Sequence, residues 1–278
     1  MGFKRGIQRL GILCFVGLTA LQAASRPQTK LSLKSASALV LDQTTGQALI
    51  EKQAGAIQPI ASLTKLMTAM VLLDARLDPQ EMLTITRDDM DMLRHSKSRL
   101  PVGTHLPREQ ALLLALLASE NRAAHALGRT FPGGLSAFVE AMNAKAKALG
   151  LEAARFEDPT GLSAGNVATA HDLARIMEAA YRYPEIRDFT TRPETSIQSG
   201  RRSIQFPNTN ALVRSPRWTI GLSKTGYIEE AGRCLVMQAM LANRPVLIVL
   251  LDSWGKYSRL GDANRIKSWL EARLGSKG

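Results

Sequence analysis

The sequence predicts one α/β domain of the α+β kind, in which helices are inserted between the strands of a mainly antiparallel sheet. The chain has 278 residues, of which 45% are hydrophobic, and this is enough for one large domain with a buried core. Strand-like segments with a period of two occur towards both ends of the chain. The middle of the chain has helical periodicity instead. We therefore expect the two ends to complete one sheet.

Residues 1–24 predict a secretory signal peptide. Lys4, Arg5 and Arg9 precede an apolar run over 10–18, and small residues follow it. The run is too short to span a bilayer core of roughly 30 Å, which disfavours a retained anchor. We expect cleavage near residue 23 or 24, so that 25–278 forms the mature domain.

The mature chain is basic, and its charge limits the classes of partner. Without the three basic residues of the signal peptide, 33 of 36 bases remain against 24 acids, which gives a net charge of +9. Such an excess outside the cytosol suits an anionic polymer, a membrane surface or a cell wall. Nucleic acid is excluded, because aromatic residues make up only 5% and no basic run is interleaved with them. Cys234 is then the one cysteine, and we interpret it as a buried, inert thiol.

The first half of the chain predicts a hairpin and then helices. Alternation over 38–42 and 47–51 indicates two strands joined by a turn. Leu63 begins an almost wholly apolar helix that extends to Ala75, and such a helix belongs in the middle of a domain. Further helices are predicted over 107–117, 122–129 and 135–149, with Pro132-Gly133-Gly134 as a break.

The second half predicts most of the sheet. Asp158-Pro159-Thr160-Gly161-Leu162 is typical of a turn, and Thr169 is suited to cap a helix over 170–181. An amphipathic helix over 262–274 closes the chain. Between them, strands are predicted over 201–206, 218–228, 232–240 and 245–252, with a hairpin turn at Ala242-Asn243-Arg244 before the last.

Ser62-Leu63-Thr64-Lys65 is the first of three short strings that together predict an acyl-transfer site. Ser62 lies at the start of the apolar helix and Lys65 one turn later on the same face. A serine hydroxyl needs a base to become a nucleophile, and the amine is the base at this spacing. Burial, the helix N-terminus and a second cation, Lys224, lower a lysine pKa from about 10.4 towards about 7. The alternative is an ordinary N-cap followed by a solvated lysine.

Ser119-Glu120-Asn121 is the second string and follows the point where an apolar helix ends. A hydroxyl and an amide two residues apart in a turn can face the same way, one to relay a proton and the other to bind a substrate amide. Glu120 then points away. The alternative is a simple loop that caps the next helix.

Lys224-Thr225-Gly226 is the third string and lies on a predicted strand. The lysine and hydroxyl suit a carboxylate, and Gly226 allows a substrate backbone to approach as an added strand. The amide of Tyr227 can pair with that of Ser62 as an oxyanion hole. The alternative is a β-turn with an exposed lysine.

The order and spacing of the three strings carry more weight than any one of them. Together they form the signature of penicillin-recognising serine enzymes. Ser253-Trp254-Gly255-Lys256 also reads S-x-x-K, but it follows a β-branched run and opens no apolar helix. The four histidines show no metal-ligand spacing and no carboxylate pairing, and Glu157 with Asp158 is interpreted as capping. No metal and no cofactor is predicted.

The chain resembles the low-molecular-mass penicillin-binding proteins, serine D,D-peptidases of peptidoglycan, and within them the D-alanyl-D-alanine endopeptidase branch. Besides the motifs, the stretches 62–75, 119–150 and 221–238 carry this resemblance, which covers nearly the whole mature chain. It implies a β-lactamase/D,D-peptidase-like antiparallel sheet flanked by helices, with an inserted helical lobe and the site in the cleft. It also implies a periplasmic enzyme that acts on peptidoglycan and is inhibited covalently by β-lactams.

The resemblance implies a role for each motif residue. Ser62 is the acyl-enzyme nucleophile and Lys65 its proton acceptor, while Ser119 relays the proton. The remaining residues bind substrate: Asn121, Lys224 and Thr225, with Gly226 and Tyr227 beside them.

Three other functions stay open at this point. A D,D-carboxypeptidase attacks the same kind of bond. A serine β-lactamase needs a deacylating base, but no Glu-x-x-Leu-Asn string follows the helical segment. A catalytically inactive scaffold could use the positive charge to associate with the cell wall or a membrane surface.

Overall fold

The computed structural model describes residues 1–2 and 31–274. The predicted signal peptide lies outside the described residues except for its first two. Contacts divide the chain between Lys30 and Leu31, and the unit that begins at Leu31 is the one described below. In the part described, no helix is both long and apolar enough to cross a membrane.

The centre of this unit is a five-stranded antiparallel sheet in the order β2-β1-β11-β10-β9. The chain ends meet in it as predicted, because β1 pairs with β11 along its length. Shorter strands form three two-stranded sheets, β3 with β6, β4 with β5 and β7 with β8. The strands are β1 (Ser35–Asp42), β2 (Ala48–Lys52), β3 (Gln58–Pro59), β4 (Met82–Thr84), β5 (His105–Pro107), β6 (Val167–Ala168), β7 (Glu194–Ser199), β8 (Arg202–Pro207), β9 (Thr219–Ile228), β10 (Gly232–Leu241) and β11 (Arg244–Ser253).

Helices cover both faces of the central sheet. Residue alternation explains this, since Leu39 and Val249 face one apolar cluster while Val40 and Ile248 face another. The larger cluster contains α1 to α5, and the smaller lies under α7. The helices are α1 (Lys65–Asp74), α2 (Arg108–Leu117), α3 (Asn121–Arg129), α4 (Gly134–Ala148), α5 (Ala170–Ala180), α6 (Pro184–Thr191) and α7 (Ser258–Leu274).

Local signals located several element boundaries well. Thr169 caps α5 in a capping box with Asp172, as its position before the helix predicts. Ala242 and Asn243, with φ of 48° and 60°, form the tight turn between β10 and β11. Both central residues are left-handed, as a type I′ turn requires. Arg244, predicted in the turn, is already the first residue of β11.

The sequence mispredicts several elements in the second half of the chain. It missed α6, which begins at Pro184, and β7, which follows it. The strand predicted over 201–206 exists, but as β8 it pairs only with β7 and lies outside the central sheet. The last helix begins at Ser258, four residues before the predicted start. The pairing of β8 depends on a distant segment, which periodicity does not report. Pro184 at the start of α6, in contrast, is a local helix signal that was not used.

Asp89 ties α3 to the segment before β5. It is buried and accepts hydrogen bonds from His125 Nδ1 at 2.8 Å and from Arg129 Nε and Nη2 at 3.0 and 2.9 Å. The prediction that no histidine pairs with a carboxylate was therefore wrong. Burial raises the pKa of Asp89, but the hydrogen bonds of His125, Arg129 and Thr86 outweigh it and hold the pKa at about 2.

We expect Asp89→Asn to lower the free energy of unfolding by about 2 kcal/mol, because buried donors lose a charged acceptor. A depressed pKa means that this contribution is present above the ordinary value near 3.9 and is lost as pH falls towards 2. Urea titrations between pH 7 and pH 2 test both points. A variant that loses as much stability on acidification as the wild type would contradict the assignment.

Candidate active site

Ser62 lies in a 3₁₀ turn, Ala61–Thr64, that leads directly into the buried helix α1. The residue before it, Ala61, has φ of 49°, which is strained for any residue with a side chain. Gly161 packs against this point, and a Cβ on Gly161 would stand 2.0 Å from the Ala61 carbonyl oxygen. The close approach of the two segments therefore fixes the position of the serine and requires a glycine opposite it.

Lys65 is fully buried, and its amine lies 2.8 Å from the Ser62 hydroxyl oxygen. The amine also donates to Asn121 Oδ1 at 2.8 Å and to the Thr160 carbonyl at 2.6 Å. Burial lowers the pKa of Lys65 to about 7, although the charges of Asp158 and Glu120 act in the opposite direction. The predicted shift is thus present, with burial as its main cause.

Ser119 and Asn121 lie on either side of Glu120, where the short connection from α2 leads into α3. Ser119 has φ of 58°, a second strained position among non-glycine residues. Asn121 accepts from Lys65 and donates to Ser96 Oγ at 3.0 Å. Glu120 accepts from Ser98 Oγ at 2.6 Å and from Arg122 N at 3.2 Å, so it also caps α3, as the alternative interpretation expects. The strained turn lets alternate residues of one short loop face the same crevice.

Lys224 and Thr225 lie on β9, the edge strand of the central sheet, and both are buried. The Lys224 amine donates to Ser119 Oγ at 2.8 Å and to the Thr225 carbonyl at 3.0 Å. The Thr225 hydroxyl donates to Thr209 Oγ1 at 2.7 Å. Burial lowers the pKa of Lys224, and the charges of Lys65 and Arg259 lower it further.

Gly226 brings the edge of β9 against the Ser62 turn. A Cβ on this glycine would stand 3.0 Å from the Ile60 carbonyl oxygen and 3.2 Å from the Ser62 nitrogen. Tyr227 follows it, with its ring exposed and the Arg233 guanidinium 4.6 Å from the ring centre. The Ser62 amide of the predicted oxyanion pair therefore lies against Gly226, and its pairing with the Tyr227 amide remains a prediction.

The predicted residues form two serine–lysine pairs in one crevice. Ser62 pairs with Lys65, and Ser119 pairs with Lys224 rather than joining a single cluster around Ser62. The second cation therefore contacts the relay serine and not the nucleophile. In the described ranges, no group of three or more histidine, cysteine, aspartate or glutamate side chains could hold a metal ion.

Sequence reasoning missed the loop that completes the first pair. Asp158 accepts from the amides of Thr160, Gly161 and Ser163 at 2.6 to 2.8 Å, which confirms its interpretation as a capping residue. This cap holds the Thr160 carbonyl against Lys65. The sequence predicts the turn over 158–162, but no local pattern indicates that it packs against α1.

Two buried or half-buried side chains connect the site to the rest of the fold, and neither was predicted. Asn166 donates to Thr64 Oγ1 at 3.1 Å and to the Asp158 carbonyl at 2.9 Å, so it joins the loop to the Ser62 turn. Arg259, on α7, donates to the Gly226 carbonyl at 2.8 Å. Both connect segments that are distant along the chain, and no residue pattern signals such contacts.

Comparison with known proteins agrees with this geometry. The family profile described as peptidase S11, D-alanyl-D-alanine carboxypeptidase, matches residues 21–254. The chain belongs to the peptidase S11 family. The resemblance to low-molecular-mass penicillin-binding proteins is thereby confirmed, and the chain is a serine D,D-peptidase.

S11 relatives of known name lie close in sequence and in structure. The D-alanyl-D-alanine endopeptidase of Pseudomonas aeruginosa is 46% identical over 91% of this chain and 84% of its own length. That of Escherichia coli is 41% identical over 90% and 81%. The crystal structure of the Streptomyces K15 DD-transpeptidase superposes with a TM-score of 0.81 at 27% identity, over 88% of this chain and 99% of that one. The predicted fold class is confirmed.

We expect Gly161→Ala to lower the free energy of unfolding of this S11 enzyme by about 3 kcal/mol, because its Cβ would overlap the Ala61 carbonyl. Gly46→Ala is the matched control, since Gly46 also has a positive φ, 72°, but has no atom within 4 Å of a Cβ. Backbone strain alone costs the control about 1 kcal/mol. Equal losses in urea denaturation would mean that the loop contact does not matter.

Proposed function

We propose that the chain is a D-alanyl-D-alanine endopeptidase that hydrolyses D-alanyl-diaminopimelate cross-links in peptidoglycan through an acyl-enzyme on Ser62. The observation that carries this proposal is the buried Lys65 amine, with a pKa of about 7, at 2.8 Å from the Ser62 hydroxyl. The names of the relatives from P. aeruginosa and E. coli support the choice of bond.

Two fixed acceptors orient Lys65 for proton transfer. After losing one proton, the amine keeps two N–H bonds for Asn121 Oδ1 and the Thr160 carbonyl. Its lone pair is then directed to the third contact, the Ser62 hydroxyl. Lys65 removes the hydroxyl proton while the Ser62 oxygen forms a bond to the substrate carbonyl carbon.

The tetrahedral intermediate requires an anion site and a proton for the leaving group. We assign the amides of Ser62 and Tyr227 to the oxyanion. When the C–N bond breaks, the proton that Lys65 took from Ser62 passes to the departing amine through Ser119, whose hydroxyl is held by Lys224, and Lys65 becomes neutral again. Lys224 and Thr225 also bind the carboxylate next to the scissile bond, and Asn121 orients the substrate amide.

Water then hydrolyses the ester. The same lysine accepts a proton from the attacking water, and the Ser62 oxygen is released as a hydroxyl when the C–O bond breaks. A β-lactam forms the same ester, but its amine stays tethered to the acyl group and hinders the approach of water. This makes it a covalent inhibitor.

The cellular setting is part of the proposal. A cleaved signal peptide over 1–24 would deliver the catalytic domain, 25–278, to the periplasm, where the substrate is found. The excess of 33 basic over 24 acidic residues in this part favours peripheral association with an anionic wall or membrane surface.

A D,D-carboxypeptidase that removes a terminal D-alanine is the second candidate. It is favoured by the description of the matched family profile. Both activities would use the same two serine–lysine pairs. Analysis of the reaction products is therefore needed to distinguish an endopeptidase from a carboxypeptidase. We expect purified cross-linked muropeptide dimers to yield monomers faster than uncross-linked pentapeptides yield tetrapeptides. The reverse preference would identify the carboxypeptidase.

We expect Ser62→Ala to abolish covalent labelling by a fluorescent penicillin and cleavage of muropeptide dimers, because it removes the nucleophilic oxygen. Ser136→Ala, at an exposed position on α4, is the control and should label like the wild type. Intact-protein mass spectrometry measures the adduct. An adduct on the Ser62→Ala protein, or none on the wild type, would overturn the mechanism.

The rate of acylation should rise through neutral pH. Only the neutral amine accepts a proton, so with a pKa of about 7 the rate increases about tenfold per pH unit below that value and levels off above it. Stopped-flow measurement with a chromogenic cephalosporin gives the profile. A rate that stays constant from pH 5 to pH 9 would exclude Lys65 as the base.

A further inference from the structure

In the part of the chain that the structure describes, the exposed aromatic residues lie at one end of the central sheet. Tyr227, Trp254 and Tyr257 are 56%, 87% and 68% exposed, and they are the exposed aromatic side chains of the described ranges. All three lie at the end of the central sheet where β9 and β11 finish. We call these three, with Arg233, the aromatic platform.

Strand register brings the platform together. Tyr227 on β9 pairs with Arg233 on β10, and Arg233 pairs in turn with Ser253 on β11. The Arg233 guanidinium lies over the Tyr227 ring at 4.6 Å from its centre. Trp254 follows Ser253 directly, so it lies just beyond the β11 end of this row of paired residues.

The turn that carries Trp254 and Tyr257 is ordered by hydrogen bonds. Ser258 N donates to the Gly255 carbonyl at 3.3 Å, and the Ser258 hydroxyl donates to the Trp254 carbonyl. The Lys256 amine lies 5.4 Å from the centre of the Tyr257 ring. Large apolar rings held on an ordered turn in water are typical of a binding surface.

The platform is continuous with the candidate active site. Tyr227 is the residue after Gly226, whose backbone lies against the Ser62 turn. Arg259, two residues after Tyr257, donates to the Gly226 carbonyl at 2.8 Å. The platform is therefore joined to the candidate site at the end of β9, through Gly226 and Arg259.

We propose that the aromatic platform binds the glycan strand of peptidoglycan, and this inference rests on the proposed function. Aromatic rings pack on the apolar C–H faces of sugar rings, and Trp and Tyr combine such area with a polar atom. Arg233 and Lys256 match the carboxylates of the stem peptides. Glu229 and Asp252 are the exposed acids nearby, while Glu230 is paired with Arg94 at 2.8 Å.

Binding to purified sacculi tests the proposal without cleavage. We compare Ser62→Ala protein with the same protein carrying Trp254→Ala and Tyr257→Ala, and expect the double change to weaken binding at least tenfold. Met240→Ala, at an exposed apolar position at the other end of β10, is the control and should change binding less than twofold. Equal binding by all three proteins would overturn the proposal.

Comparing the cleavage of intact sacculi with acylation by penicillin distinguishes a failure of the platform from a failure of the proposed function. With Ser62 intact, the double variant should cleave intact sacculi at least fivefold more slowly than the wild type, with an unchanged rate of penicillin acylation that shows a folded site. Equal slowing of both reactions would indicate damage to the site and overturn the platform. The proposal would also be overturned if Trp254→Ala weakened binding to anionic lipid vesicles but left binding to sacculi unchanged. If the wild type cleaves no cross-link, the proposed function fails, and the binding comparison still decides the platform.

Discussion

The contact between Lys65 and Ser62 depends on keeping a long cationic side chain out of water. A lysine is rarely buried fully, because its charged form loses hydration. Here the apolar helix α1 carries the stem into the core, while three oxygen atoms surround the amine. The burial that would be costly for a structural lysine lowers its pKa to about 7 and makes it a base at neutral pH.

The rest of the fold supplies the rigidity that this arrangement requires. Ala61 and Ser119 adopt left-handed conformations that persist only where surrounding structure fixes them. The Asp158 loop packs on one of them through Gly161, and β9 reaches the other through Lys224. These segments are far apart in sequence, so the site forms only when the sheet and the helices have packed.

The sequence was most informative where chemistry and secondary structure are local. The three motifs identified both serine–lysine partners, and the period of two located β9, β10 and β11 within one residue or so. It failed at the pairing of β8 and at the Asp89–His125 contact, because each depends on a neighbour distant along the chain. It also missed α6, although Pro184 is a local start signal for that helix. The contact of the Thr160 carbonyl with Lys65 could not be predicted either, because every residue type has a backbone carbonyl. The link between Lys224 and Ser119, rather than Ser62, required the actual register of the edge strand.

The arrangement of the site as two serine–lysine pairs also limits which contacts can determine substrate specificity. In the proposed mechanism both pairs act at the scissile bond, where the substrates of an endopeptidase and of a carboxypeptidase present nearly the same atoms. Discrimination between them must come from contacts further along the bound polymer. In this fold the accessible continuation is the open edge of β9, because its other edge is already paired with β10. Tyr227, directly after Gly226, is the exposed ring on β9 itself, while Trp254 and Tyr257 lie at the same end of the sheet beyond β11. We expect an enzyme for polymeric substrate to gain more from such outlying contacts than one that removes a single terminal residue.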